Sequence, residues 1–143
     1  MVKQILVVCD NETMREYLSG ILVPNFNIVY RKSTKRALQW LNKGNLPDLI
    51  LLDIEDNGPD YLAFVSNLRN RAVSDFPLIL LSEVRNYQQV LHCLQFGATD
   101  FITKPFFPEE LLKKINQVLR PQQNQMFARR IPTMRASIRP YYS

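Results

Sequence analysis

The sequence predicts an α/β fold, a five-stranded parallel sheet covered by helices on both faces. Two observations predict it. Short, continuous apolar runs alternate, five times over, with segments whose apolar residues recur at helical spacing. The runs lack the polar alternation of a half-exposed strand, so they read as strands buried on both sides, joined by right-handed crossovers. The size agrees: 143 residues, 46% hydrophobic and 22% charged, suit one domain with a sizeable core and are too few for two, single domains being typically ~100–150 residues.

The elements follow in order. Ile5-Leu6-Val7-Val8 is the first strand, and Met14, Tyr17, Leu18, Ile21 and Leu22 mark a helix that Pro24 stops. Phe26 to Tyr30 is a weaker strand; Ala37, Leu38 and Leu41, with Trp40 beside them, make a helix ending near Gly44. Leu49-Ile50-Leu51-Leu52 is the clearest strand, followed by a helix carrying Tyr61, Leu62, Val65 and Leu68. Leu78-Ile79-Leu80-Leu81 precedes a fourth helix with Tyr87, Val90, Leu91 and Leu94, closed by Gly97. Thr99 to Thr103 is a short fifth strand, and Leu111, Leu112, Ile115, Val118 and Leu119 form the last helix. Its entry, Pro108-Glu109-Glu110, sets acids in the first turn.

Composition narrows the function classes. The net charge is +5, but residues 1–120 hold 14 Lys and Arg against 13 Asp and Glu. Residues 121–143 hold Arg129, Arg130, Arg135 and Arg139 and no acid. The basic character therefore sits in a Pro-containing tail or linker, and the body, residues 1–120, makes nucleic acid an unlikely partner. No apolar run reaches the ~18 residues of a membrane span. The N-terminus turns acidic too soon for a signal peptide. Two cysteines, Cys9 and Cys93, make no disulfide framework, so a cytoplasmic setting is expected.

In open α/β sheets the working residues gather at the carboxyl ends of the strands. Here those ends carry Cys9-Asp10, Asp53, Ser82 and Lys104-Pro105, whereas the second strand ends in Tyr30-Arg31-Lys32. Any one of these is by itself an ordinary loop residue or cap; their coincidence at one end of successive strands is not. Two carboxylates side by side stay ionised when a cation sits between them, and hard oxygen ligands suit Mg²⁺. An ammonium and a hydroxyl suit phosphoryl oxygens, and a carboxylate can take a phosphoryl group as an acyl phosphate.

With these residues in view the chain resembles the response-regulator receiver domain of two-component signalling, over about residues 3–120. PDLILLDIEDNGPDYLAF resembles the family's third strand and loop, FGATDFITKPF its fifth-strand motif, PLILLS its fourth strand and ILVVCD its first. The resemblance implies a flavodoxin-like (βα)5 sheet of order 2-1-3-4-5, with the pocketless second strand at an edge, and a cis Lys104-Pro105 peptide. It implies Asp53 as phosphoacceptor, and Mg²⁺ held by Asp10, Asp53 and the Glu55 carbonyl. Ser82 and Lys104 become phosphoryl contacts, with Ser82 and Phe101 as switch residues.

Four departures stand out. Cys9 replaces the outer acid of the family's first-strand pair, which weakens the metal site without abolishing it. Glu83, large and negative, stands where the family has a small residue. Glu55 adds charge two residues after Asp53. Asp60-Tyr61 replaces an Asp-Gly turn, which must be built differently.

The preferred reading is a phosphoacceptor signalling domain, not an enzyme. It takes its phosphoryl group from a histidine kinase or phosphotransfer protein and acts on a downstream protein target. The alternative is a phosphorylation-independent pseudo-receiver serving protein contacts. An electron carrier of flavodoxin type is rejected because Asp10-Asn11-Glu12 is hostile to a flavin phosphate. An aspartyl phosphatase is disfavoured because Asp53-Ile54-Glu55 matches its Asp-x-Asp only approximately. Cys9 reads as an unreactive thiol, its pKa raised by Asp10 and Asp53 against the lowering effect of a nearby lysine. His92 reads as a surface residue, and Glu12 and Glu16 as helix-terminal charges. Apolar anchors in the tail, Met126, Phe127, Ile131, Met134, Ile138, Tyr141 and Tyr142, suggest docking on the domain or on a second copy as a homodimer.

Overall fold

The computed structural model describes residues 2–54, 59–70 and 76–120. Along the chain run β1 (Gln4–Val8), α1 (Glu12–Leu22), β2 (Asn27–Arg31), α2 (Thr34–Asn42), β3 (Leu49–Asp53), α3 (Pro59–Arg69), β4 (Leu78–Ser82), α4 (Tyr87–Gln95), β5 (Asp100–Thr103) and α5 (Pro108–Val118). A single 3₁₀ turn, Val84–Asn86, enters α4. The sheet order is β2-β1-β3-β4-β5 and every pairing is parallel, as expected. β3 and β4 are buried along their whole length, whereas β2 is partly exposed, as an edge requires.

The two-residue period of a strand divides the core into two layers. Leu6, Val8, Ile50, Leu52, Leu78 and Leu80 pack with residues of α2, α3 and α4. Ile5, Val7, Leu49, Leu51, Ile79 and Leu81 pack with residues of α1 and α5. Register is therefore strongly specified, because a one-residue slip would exchange the layers.

Helix starts are set by local chemistry. Asn11 Oδ1 accepts the Met14 N–H at 2.8 Å and Ser33 Oγ accepts that of Arg36 at 3.1 Å; each satisfies a donor the helix leaves unpaired. At α5, Pro108 takes the first turn and the Glu110 carboxylate accepts the Phe107 N–H at 2.8 Å. Gly97, past α4, has φ +123°, and a Cβ there would come within 2.6 Å of Arg69 Cγ. The Arg69 side chain lies across this turn, donating from Nε to Gly97 O at 3.0 Å and from Nη2 to Phe76 O at 2.8 Å.

One face differs from the sequence reading. Tyr87 and Leu91 were expected on the buried stripe of α4 beside Val90, yet Tyr87 is exposed and Leu91 only partly covered; Val90 is buried as expected, and Cys93 is buried with it. The 3₁₀ turn resets the rotation of the short helix and buries Asn86 at its start. His92 is exposed, as expected. Among the described residues, no helix is long and apolar enough to cross a membrane. Glu55, the loop before α3 and the tail 121–143 lie outside the described residues.

Candidate functional site

Strand parity places Cys9 two residues after Val7, Asp53 two after Leu51 and Lys104 two after Ile102, all on the α1/α5 layer. The ladder continues just past the strands, through Cys9 N–H to Arg31 O (3.0 Å), Ile54 N–H to Leu81 O (2.8 Å) and Lys104 N–H to Ser82 O (2.8 Å). Adjacent strand ends thus hold these side chains against one another on rigid backbone.

They meet at the Asp53 carboxylate. Lys104 Nζ forms an ion pair with Oδ1, and Cys9 Sγ donates to Oδ2 at 3.1 Å. Asp53 is buried, and a buried carboxylate without a partner is costly, so the Lys104 ammonium is its counter-ion. The Cys9 thiol is pushed up to about 12 by its burial first, then by the Asp53 charge and its hydrogen bond to Asp53. The Asn11 carbonyl contact and Lys104 oppose this only in part. The thiol is therefore protonated at neutral pH and acts as a hydrogen-bond donor, so its expected lack of reactivity has burial as its leading cause.

The remaining expected residues lie on the neighbouring strands β4 and β5 and on the loops at the strand ends. Ser82 is buried with its hydroxyl donating to the Glu83 carbonyl at 2.9 Å. Phe101 is half-buried against the α2–α4 layer. Lys114 Nζ lies 6.0 Å from its ring centroid and pairs with Asp100 at 3.2 Å. The Lys104–Pro105 peptide is cis, as expected. Asp10, next to Cys9, is exposed. The structure thus brings Cys9, Asp53 and Lys104 together and leaves Asp10 at the rim.

A cleft of about 810 Å³ opens over Asp53 and Lys104. Asn11, Thr13, Met14 and Tyr17 form one wall, Glu83, Val84 and Arg85 another, and Pro105 and Phe106 the third. Two contacts here were missed in the sequence. Tyr17 Oη donates to Phe106 O at 2.7 Å, with its ring 5.7 Å from that of Phe106, so α1 braces the loop that carries Lys104. Tyr17 had been read only as part of a helical stripe, and nothing local signals a partner 89 residues away. Arg85 Nε pairs with Glu83 Oε1 at 3.2 Å; the Glu-x-Arg spacing ahead of a helix was its one visible sign.

Among the described residues, no group of three or more His, Cys, Asp and Glu side chains gathers to hold a metal ion. Magnesium does not need one, since it keeps several waters and is usually bound through one or two carboxylates together with substrate phosphates. Asp53 and the exposed Asp10 carry carboxylates of that hard kind, while the protonated Cys9 thiol offers no hard ligand, so the donor chemistry would suit magnesium with an acid missing at position 9.

A family model described as the response regulator receiver domain matches residues 5–116. The phosphate regulon transcriptional regulatory protein PhoB of Klebsiella pneumoniae is 37% identical over 122 residues, which are 84% of this chain and 53% of that protein. The transcriptional regulatory protein PhoP of Escherichia coli O157:H7 is 30% identical over 118 residues, 82% of this chain and 52% of that protein. The chain thus spans about half the length of the curated relatives it matches. A crystal structure of a putative response regulator from Chloroflexus aurantiacus superposes with a TM-score of 0.76 at 26% identity, covering 83% of this chain and 98% of that one. The receiver domain of the Pseudomonas aeruginosa sensor histidine kinase PA1611, with magnesium coordinated in its active-site cleft, gives 0.74 at 21% identity over 83% of this chain and 98% of that one, a likeness of fold.

Proposed function

The chain belongs to the response-regulator receiver family of two-component signalling, and from that membership we propose that Asp53 accepts the phosphoryl group from a histidine kinase or phosphotransfer protein in the cytoplasm. The observation that carries the proposal is a buried Asp53 carboxylate at the end of β3, ion-paired to Lys104 and open to the cleft. An Asp53 oxygen attacks phosphorus, the bond from phosphorus to the donor breaks, and the departing imidazole or acid takes its electron pair. The product is an aspartyl phosphate, which keeps the charge of the transferred group.

The chain's own residues supply positioning and electrostatics. Lys104 lies beside the oxygen it already pairs with and neutralises charge that builds on the phosphoryl oxygens. Cys9 holds the second oxygen by a weak S–H donor, which a phosphoryl oxygen can displace at little cost. Ser82 exchanges its bond to the Glu83 carbonyl for the phosphoryl group, and Phe101 moves further inward as the β4 end shifts. Asp10, Asp53 and the Glu55 carbonyl would hold the magnesium, which adds charge neutralisation on the phosphoryl oxygens when bound.

The competing reading is a phosphorylation-independent interaction module, favoured by Cys9 in place of an acid and by its hold on Asp53 Oδ2. Incubation with acetyl phosphate and Mg²⁺, followed by intact-mass measurement, separates the two. One added phosphoryl group, absent in Asp53→Asn, is expected; no adduct at any donor concentration favours the interaction module. We further propose that residues 121–143 dock on the domain or on a second copy. Deleting them is expected to turn a dimer into a monomer in solution or to lower the melting temperature, and an intact chain that is already a monomer and melts at the same temperature without them removes the idea.

A further inference from the structure

We propose that Tyr17 is a positioning residue for phosphotransfer: by holding the Phe106 carbonyl, its hydroxyl sets where the Lys104 ammonium stands beside the acceptor. The inference rests on Asp53 being the acceptor. Lys104 to Phe107 join β5 to α5. This loop is fastened at both ends, by the Lys104 N–H to Ser82 O at 2.8 Å and by the Phe107 N–H to Glu110 Oε1 at 2.8 Å. Between those ends Pro105 has no N–H to give, and the Phe106 carbonyl accepts from Tyr17 Oη at 2.7 Å.

Two features set this bond apart from ordinary packing. The Tyr17 ring already rests on that of Phe106, with centroids 5.7 Å apart and planes tilted by 51°. Phe106 is itself buried with Leu111 and Ile115 of α5. Ring contact holds the two elements together without fixing a distance, whereas a hydrogen bond weakens steeply away from its geometry. The hydroxyl therefore fixes the backbone two residues after Lys104. The second feature is the origin of the contact. Tyr17 belongs to α1, which follows the β1 end that carries Cys9, and it lines the cleft together with Lys104, Pro105 and Phe106. The loop is thus tied to the opposite wall of the cleft as well as to its own strand and helix. Catalysis by positioning is sensitive to small shifts, and a displacement of about 1 Å can cost on the order of 100-fold in rate. Lys104 reaches Asp53 from this loop, so a shift of the main chain there carries the ammonium away from the oxygens on which charge builds. Tyr17 needs no contact with the donor to act in this way.

The test is the rate of Asp53 phosphorylation by acetyl phosphate in the presence of Mg²⁺, read by intact mass across donor concentrations. It compares the full chain, Tyr17→Phe, Lys104→Gln and the double variant. Tyr17→Phe keeps the ring and removes only the hydroxyl. It is expected to lower the maximal rate about fivefold, the scale of one hydrogen bond, with the half-saturating donor concentration unchanged. Lys104→Gln leaves no ammonium to place, so adding Tyr17→Phe to it is expected to slow labelling no further. Equal rates for the full chain and Tyr17→Phe overturn the proposal. Equal slowing in both backgrounds overturns it too, because Tyr17 would then brace the cleft as a whole. Should Lys104→Gln label too slowly or fold too poorly to compare, the donor dependence of Tyr17→Phe decides. A lower maximal rate alone supports positioning, and a raised half-saturating concentration, the mark of a lost donor contact, overturns it. A full chain that gains no Asp53-dependent mass removes the acceptor reading itself, and this inference with it. Tyr17 is 40% exposed, and melting curves verify that the rates compare folded proteins.

Discussion

At the floor of the cleft the side chains of Asp53 and Lys104 are 1% and 13% exposed, whereas at its rim those of Glu83 and Arg85 are 48% and 63% exposed. Both are carboxylate–cation pairs and both line the same space. The floor pair is held by the ends of β3 and β5 on the α1/α5 side of the sheet, and the Asp53 carboxylate has almost no solvent to fall back on. The rim pair sits on a single turn, and water screens each member. Burial therefore makes the floor pair a structural necessity as well as a chemical tool, because breaking it strands a charge. The rim pair is exposed on both members, so breaking it strands no buried charge.

Breaking the floor pair gives the largest effect. Lys104→Met is expected to lose ~3–5 kcal/mol of folding stability, since it leaves a buried carboxylate without its cation. It should also slow phosphorylation severely. Urea unfolding measures the first, and the double variant Lys104→Met with Asp53→Asn checks the cause by recovering much of the loss. A Lys104→Met loss below ~1 kcal/mol, the scale of exposed pairs, would show that the floor is as solvated as the rim.

Cys9 sharpens the comparison from the other oxygen of Asp53. Cys9→Asp restores an acid beside a buried one, and two like charges that close disfavour the folded state by on the order of 2 kcal/mol without metal. Mg²⁺ should reverse this, so the melting temperature is expected to rise more on adding Mg²⁺ to Cys9→Asp than to the unaltered chain. Equal rises would mean that position 9 does not reach the metal.

Cys93 isolates burial from charge. Its thiol is pushed from the ordinary 9.0 up to about 11 by burial alone, with no carboxylate involved. A folded pKa above the unfolded one contributes stability that is fully present below pH ~9 and lost as pH rises toward the folded value. Stability is therefore expected to fall by up to about 3 kcal/mol between pH 9 and 11 on this account. Urea unfolding across that range should show a shallower fall in Cys93→Ala, and an identical fall would assign the alkaline limb to other groups.

How much of this was legible depended on periodicity. The apolar runs at Ile5, Leu49 and Leu78 announced buried strands, and the place of Asp10, Asp53, Ser82 and Lys104 just beyond successive runs announced the site. The sheet order and the cis Lys104–Pro105 bond came from the resemblance, and both are observed. What escaped depends on rotation and reach. The buried face of α4 turns on a 3₁₀ entry that no apolar spacing records, so Cys93 was passed over for Leu91. The Cys9–Asp53 and Tyr17–Phe106 hydrogen bonds join residues 44 and 89 apart, and only the folded sheet makes them neighbours. Glu83 was read as a lone repelling charge because its partner two residues on has no helical or strand period to reveal it.

The smallest expected effect is at the rim, and it is the sharpest check on the contrast. Replacing Glu83 by Gln removes one member of an ion pair at 3.2 Å, the same chemistry whose loss at the floor costs several kcal/mol. Here both side chains are already largely in solvent, so the folding stability is expected to change by no more than ~1 kcal/mol, less still at high salt. Urea unfolding of Glu83→Gln at low and at high ionic strength measures it. A loss near that of Lys104→Met would mean that the rim pair holds the β4–α4 turn in place.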